Sequence, residues 1–183
     1  LLNATNHPDR LQDSITFIIQ DSLNVLIDPP LLYVCLGDSV QFNVSSQADT
    51  YAWSPIDFLN DPTIQDPTST PLTSTSYTLS ASLGGCTSVA TVDVIVSDVQ
   101  LSATPTPILC GGNNDGAIDL TITGGLSPIT VEWSGPNGFS SGDEDLSNLE
   151  PGNYIALVTD REGCTANITV TITEVEPLEI TLT

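Results

Sequence analysis

The sequence predicts an all-β fold of tandem β-sandwich domains, each braced by one disulfide, and three observations carry that prediction. The first is a grid of landmarks that occurs twice: Cys35, Trp53 and Gly85-Cys86-Thr87, then Cys110, Trp133 and Gly163-Cys164-Thr165, offset by 75, 80 and 78 residues. A period near that length is too long for a solenoid unit and suits a small sandwich. The second is alternation of apolar and polar residues, the signature of half-buried strands. The third is the four cysteines, two per period.

The alternation defines the elements in order. In the first period Val40, Phe42 and Val44 are spaced by two, followed by Tyr51 and Trp53, by Tyr77, Leu79 and Ala81, and by Cys86, Ser88, Ala90, Val92, Val94 and Val96. The second period repeats the series with Ile118, Leu120 and Ile122; Ile129, Val131 and Trp133; Tyr154, Ala156 and Val158; and Cys164, Ala166, Ile168, Val170 and Ile172. Each set lines one face of a strand. Turn chemistry separates them at Leu83-Gly84-Gly85, Gly124-Gly125, Pro136-Asn137-Gly138, Pro151-Gly152 and Asp160-Arg161-Glu162-Gly163. The Pro-, Ser- and Thr-rich stretch from Asp61 to Ser76 reads as an edge segment crossing between sheets, a covering loop and not a linker, because Pro67 and Pro71 are excluded from a central strand.

The period divides the chain into four expected segments. Residues 1–29 read as the last strands of a preceding domain, 30–98 and 99–176 as two sandwiches, and 177–183 as the first strand of a following repeat. The chain starts at Leu1 and contains no Met, which fits a segment of a longer polypeptide. Each period has one Cys before its first core strand and one after its last tight turn, so Cys35 is expected to pair with Cys86 and Cys110 with Cys164.

Charge narrows the function classes. The chain has 23 acidic residues against 2 basic ones, a net charge of −21, yet 39% of its residues are hydrophobic. It can bury cores under a strongly negative surface. Lysine is absent and the cations are Arg10 and Arg161, so no basic patch exists to neutralise phosphates or anionic lipid heads. Nucleic-acid binding is therefore not expected, nor is membrane insertion, since no apolar run reaches a spanning length. Enzymatic activity is not expected either, because the lone His7 lies in the irregular N-terminal stretch, away from any core that could align a nucleophile and a base.

The second period resembles the SprB repeat of Bacteroidota gliding-motility adhesins through Cys110-Gly111-Gly112, Asp115-Gly116, Gly124-Gly125, Pro128, Trp133, Leu149, Pro151-Gly152, Tyr154, Asp160 and Gly163-Cys164-Thr165. The first is similar to PKD-like or immunoglobulin-like modules through Cys35-Leu36-Gly37-Asp38-Ser39-Val40, Tyr51-Ala52-Trp53-Ser54-Pro55, Ser76-Tyr77-Thr78 and Gly85-Cys86-Thr87. The resemblance implies tandem immunoglobulin-like sandwiches, type IX export, an extracellular or cell-surface location, and a structural or adhesive segment of a large protein built as a stalk or filament. Its partners would be neighbouring repeats of the same chain or filament. It also leaves open a polysaccharide-binding module and a passive spacer beside a secreted enzyme. Asp-Ser-apolar triplets place candidate O-linked glycans at Ser14, Ser22 and Ser39, and N-linked sequons begin at Asn3, Asn43 and Asn167.

No cofactor is expected apart from calcium. Asn113, Asn114, Asp115 and Asp119 gather oxygen donors in a Gly-flanked loop, as hard cations require, although the closing Glu of an EF-hand is missing. The same residues also read as an Asx-stabilised turn with Gly116 at positive φ. Asp143, Glu144 and Asp145 form a second acidic cluster that reads as a solvated loop.

Overall fold

The structure is a computed structural model, and it describes residues 23–109 and 114–175. Two hydrophobic cores organise it. The first is wrapped by β1 (Val25–Ile27), β2 (Leu31–Cys35), β3 (Val40–Gln41), β4 (Val44–Ser46), β5 (Thr50–Ser54), β6 (Thr68–Ser69), β7 (Thr75–Leu83) and β8 (Cys86–Ser97). The second is wrapped by β9 (Gln100–Thr106), β10 (Gly116–Thr123), β11 (Thr130–Ser134), β12 (Ser140–Ser141), β13 (Leu146–Leu149), β14 (Gly152–Thr159) and β15 (Thr165–Ile172). A single 3-10 turn at Pro136–Gly138 is the one helical element among the described residues.

Around the second core a sheet of order β13-β10-β9 faces one of order β12-β11-β14-β15. Around the first, the sheet β2-β8-β7-β5 faces the short pairs β1-β4 and β3-β6. Among the described residues the strands pair antiparallel except β2 with β8, which run parallel, Leu31 opposite Asp93 and Cys35 opposite Ser97; an isolated bridge of Ile108 with Glu174 is parallel too. This is an immunoglobulin-like arrangement, and both cores carry its usual anchors. Trp53 on β5 and Trp133 on β11 are 3% and 2% exposed. Each indole N–H is received at 3.0 Å by a carbonyl of the loop that follows its strand, Ile64 in one case and Asp143 in the other. Tyr154 on β14 donates its hydroxyl to the carbonyl of Glu150, four residues upstream, a corner that fixes the start of the strand.

The alternation expected from sequence matches the buried faces. Phe42, Val44, Tyr77, Leu79, Ala81, Val92 and Val94 fill the first core, and Ile118, Leu120, Tyr154, Ala156, Val158, Val170 and Ile172 the second. The positive-φ glycines at 84, 85, 124, 125, 138 and 163 lie in the turns that the sequence marks. Three expectations need correction. Val25–Ile27 does not close a preceding domain: β1 pairs with β4, and Ile27 lies in the first core. The stretch after Asp61 covers the core as a loop, but it does so with a buried row, Pro67, Ser69 and Pro71 spaced by two, and not merely as an edge crossing. Gly116 is not at positive φ; it is glycine because a Cβ there would meet Ile172 Cγ2 at 2.7 Å and the Leu149 carbonyl oxygen at 3.0 Å. The segment 177–183 lies outside the described residues.

Candidate functional site

The sequence passes from β8 to β9 through Asp98-Val99 alone, and a buried polar cluster gathers at this joint. Ser97 ends β8 fully covered. Its backbone carbonyl takes the N–H of Leu36 at 2.8 Å, and its hydroxyl donates to Asp160 Oδ2. Asp160 starts the turn between β14 and β15 and is only 5% exposed. Its carboxylate accepts three more bonds from backbone N–H groups, of Leu126 at 3.0 Å and of Glu162 and Cys164 at 2.9 Å. Burial alone would push this carboxyl up, since a charge loses its water. The hydrogen bonds from Ser97, Leu126, Cys164 and Glu162 outweigh that effect and hold it below the ordinary carboxylate range.

Two glycines let the turns close on one another. A Cβ on Gly124 would lie 1.9 Å from the Asp98 carbonyl oxygen, and one on Gly125 would lie 3.0 Å from Val99 Cγ2. At the rim the Arg161 guanidinium lies 5.2 Å over the Tyr33 ring and is paired with Glu162 at 2.8 Å. Tyr33 lies on β2 around the first core and Arg161 in the β14–β15 turn of the second, so one of the two cations in the sequence is spent on this joint.

The joint is closed covalently by a disulfide between Cys35 and Cys164, whose Cα atoms are 5.4 Å apart. This corrects the expected pairing. Because β2 runs parallel to β8, Cys35 lies beside Ser97 at the joint, whereas Cys86 lies at the other end of a 12-residue strand. That separates them by roughly 36 Å, far beyond the 7 Å or so a disulfide spans. Cys86 is a free thiol, exposed at the tip of the β7–β8 hairpin, and Cys110 lies outside the described residues. A brace within each sandwich is thus replaced by one bond between the two.

The expected calcium ligands are not gathered here. Asn113 lies outside the described residues, Asp115 and Asp119 are exposed, and Asp119 lies within β10 opposite Thr104. Among the described residues no three His, Cys, Asp or Glu side chains converge on one point. Asn114 instead donates to Glu150 Oε1 at 3.4 Å while Asn137 donates to Oε2 at 2.9 Å. These side chains, with Phe139, Asn148 and Tyr154, line a cleft of about 290 Å³ at the end of the second core away from the joint. The acidic cluster has a structural use, since the Asp143 carbonyl receives the Trp133 indole and Asp145 Oδ1 takes the Leu120 N–H. Of the candidate glycan sites, Ser39, Asn43 and Asn167 are exposed, whereas Ser14, Ser22 and Asn3 lie outside the described residues. His7 also lies outside them.

Sequence reasoning missed Ser97 and Tyr33, and it marked Asp160 only as a turn residue that carries the SprB resemblance, not as the centre of a cluster.

Comparison with known proteins follows this geometry. Residues 102–138 match the SprB repeat family. No curated protein matches the chain significantly. Among solved structures, extracellular domains 3–5 of Drosophila OTK are similar at 15% identity, covering 84% of this chain and 62% of that one, with a TM-score of 0.51. DIP-gamma IG1+IG2 is similar at 10% identity, covering 85% and 99%, with a TM-score of 0.52. The C-terminal fragment of intimin, solved with the intimin-binding domain of its translocated receptor, is similar at 14% identity, covering 83% and 64%, with a TM-score of 0.53. This chain spans less than two thirds of the OTK and intimin structures. At these identities the likeness is one of fold, that of immunoglobulin-like sandwiches, and the SprB match is confined to residues 102–138.

Proposed function

We propose that this chain is a structural segment of a cell-surface adhesive protein, in which tandem immunoglobulin-like sandwiches form an extended, non-catalytic stalk. The observation that carries this reading is the strand direction. β2 runs toward the joint alongside β8, and β15 runs away from it, from Cys164 to Ile172 opposite Gly152. Entry and exit therefore fall at opposite ends, with only Asp98-Val99 between the strands that meet in the middle. A molecule built this way carries its neighbours apart.

The SprB match supports an extracellular setting, and the sandwich fold supports display over chemistry. The DIP-gamma likeness, across nearly all of a two-domain fragment, supports the tandem arrangement. Export by the type IX route and a part in gliding or filaments are the finer form of the same proposal. The net charge of −21 suits it, since like-charged stalks resist collapse onto each other.

Small-angle scattering on residues 23–175 tests the stalk. Two sandwiches end to end give a maximum dimension of about 80 Å, against about 40 Å for a compact globule of this length. A value near the smaller figure overturns the reading.

A further inference from the structure

We infer that the Cys35–Cys164 bond is a tensile shunt that takes residues 36–163 out of the path of a pulling force. The inference concerns what the staple does, and it rests on the stalk reading only for its use in the organism. Tension on the two ends of the chain enters through β1 and β2 and leaves through β15. Cys35 is the last residue of β2, and Cys164 immediately precedes β15. The disulfide joins these two points directly across a sequence separation of 129. Everything in between, from β3 to β14 with both tryptophan anchors, hangs beside the loaded line.

The geometry of what stays under load supports the same role. β2 is held to β8 along Leu31–Cys35, and β15 to β14 along Thr165–Ile172. Pulling β2 back from the joint, and β15 forward from it, slides each strand along its neighbour, so all the ladder bonds of that strand share the load at once. Without the staple the same two ladders are loaded first, but once they slip the load passes on into residues 36–163 and every hairpin between them is exposed to it. The cluster around Asp160 has a matching effect. Asp160 anchors the N–H of Cys164 and the hydroxyl of Ser97, the residue that pairs with Cys35, so both ends of the staple are fixed to the same carboxylate.

Single-molecule pulling on the whole chain, held by DNA handles at its two ends, tests this. In the oxidised chain the residues outside the staple are the 34 before Cys35 and the 19 after Cys164, and full unfolding releases at most about 180 Å of contour. Adding dithiothreitol should release about 440 Å more, the length of the stapled segment. A Cys35→Ser, Cys164→Ser variant should give the longer extension without reductant. If that variant does not fold, the wild-type chain with and without reductant still decides the matter. An increment of about 360 Å on reduction would reveal the pairs Cys35–Cys86 and Cys110–Cys164 and overturn the shunt. An extension that does not change on reduction would overturn it equally. Neither result bears on the scattering measurement, so the stalk can survive the loss of the shunt, and the shunt the loss of the stalk.

Discussion

In the first core the long segment between β5 and β7 is stitched down by side chains reaching far along the sequence. Gln65 Nε2 donates to the Val44 carbonyl at 2.6 Å, Asp66 Oδ1 accepts the Val44 N–H at 2.7 Å, and Asn60 Oδ1 accepts the N–H groups of Asp61 and Thr68. In the second core the equivalent segment is shorter and leans more on short-range ties, Asp143 N with Ser141 Oγ, Phe139 N with the Pro136 carbonyl and Tyr154 with Glu150, beside two longer ones from the Leu120 N–H to Asp145 Oδ1 and from Asn114 to Glu150 Oε1. The rings are arranged differently as well. In the first core Phe42 packs against Trp53 and Tyr77 at 5.0 and 5.3 Å with tilted planes, while in the second Phe139 meets Tyr154 edge-on at 5.2 Å. Each core repays the ordering of its covering segment with rings and polar ties, gathered on one long loop in the first and divided among several turns in the second.

The tryptophans offer the largest way to break this comparison. Trp53→Ala and Trp133→Ala should each cost about 3 to 5 kcal/mol, by loss of buried area and of the indole bond. In urea melts of reduced protein each change should lower the transition of its own core, followed by circular dichroism, and leave that of the other core, reported by the tryptophan that remains, in place. Equal loss of both transitions would mean that the two cores fold as one unit.

The joint glycine comes next. Gly124→Ala must move backbone at Asp98 as well as hold a side chain at φ +68°, and should cost about 2 to 4 kcal/mol. Gly138→Ala, at φ +78° with open space around it, should cost about 1 kcal/mol. Thermal melts of the two variants compare close approach with conformation alone, and similar losses would remove the joint as a packed contact.

Asp160 gives a pH test. Its folded carboxyl lies below the unfolded value, so its contribution is complete above the unfolded value of about 3.9 and is lost as pH falls through the folded one. Asp160→Asn should cost about 1 to 3 kcal/mol at pH 7 and flatten the fall in urea midpoint below pH 5. Parallel slopes for variant and wild type would refute the assignment.

The smallest effect is expected at the loop stitch. Gln65→Ala should cost about 1 kcal/mol, confined to the first core, because a half-exposed amide leaves partners that water can reach. A loss of several kcal/mol would mean that this bond is the keystone of the segment.

Much of the fold was legible because it depends on local rules. Alternation at Tyr77-Leu79-Ala81 or Tyr154-Ala156-Val158 needs only the two-residue period of a strand, and Gly124-Gly125 or Asp160 to Gly163 need only the positive φ that glycine supplies. The buried row Pro67, Ser69 and Pro71 was hidden because proline and serine carry no apolar pattern, although their spacing was that of a strand. The candidate site was largely illegible. Ser97, Asp160 and Tyr33 are ordinary residues in sequence and become a cluster only when two sheets meet.

By itself the sequence determined that the chain is all-β, where its strands and turns lie, and that two tryptophans anchor two cores. Each of these follows from a periodicity or dihedral preference spanning a few residues. Only the tertiary structure decided which cysteines pair. That choice turned on β2 lying parallel to β8, which sets Cys35 at the joint and a full strand length from Cys86. Strand direction within a sheet is fixed by packing among segments distant in sequence, and no local pattern encodes it.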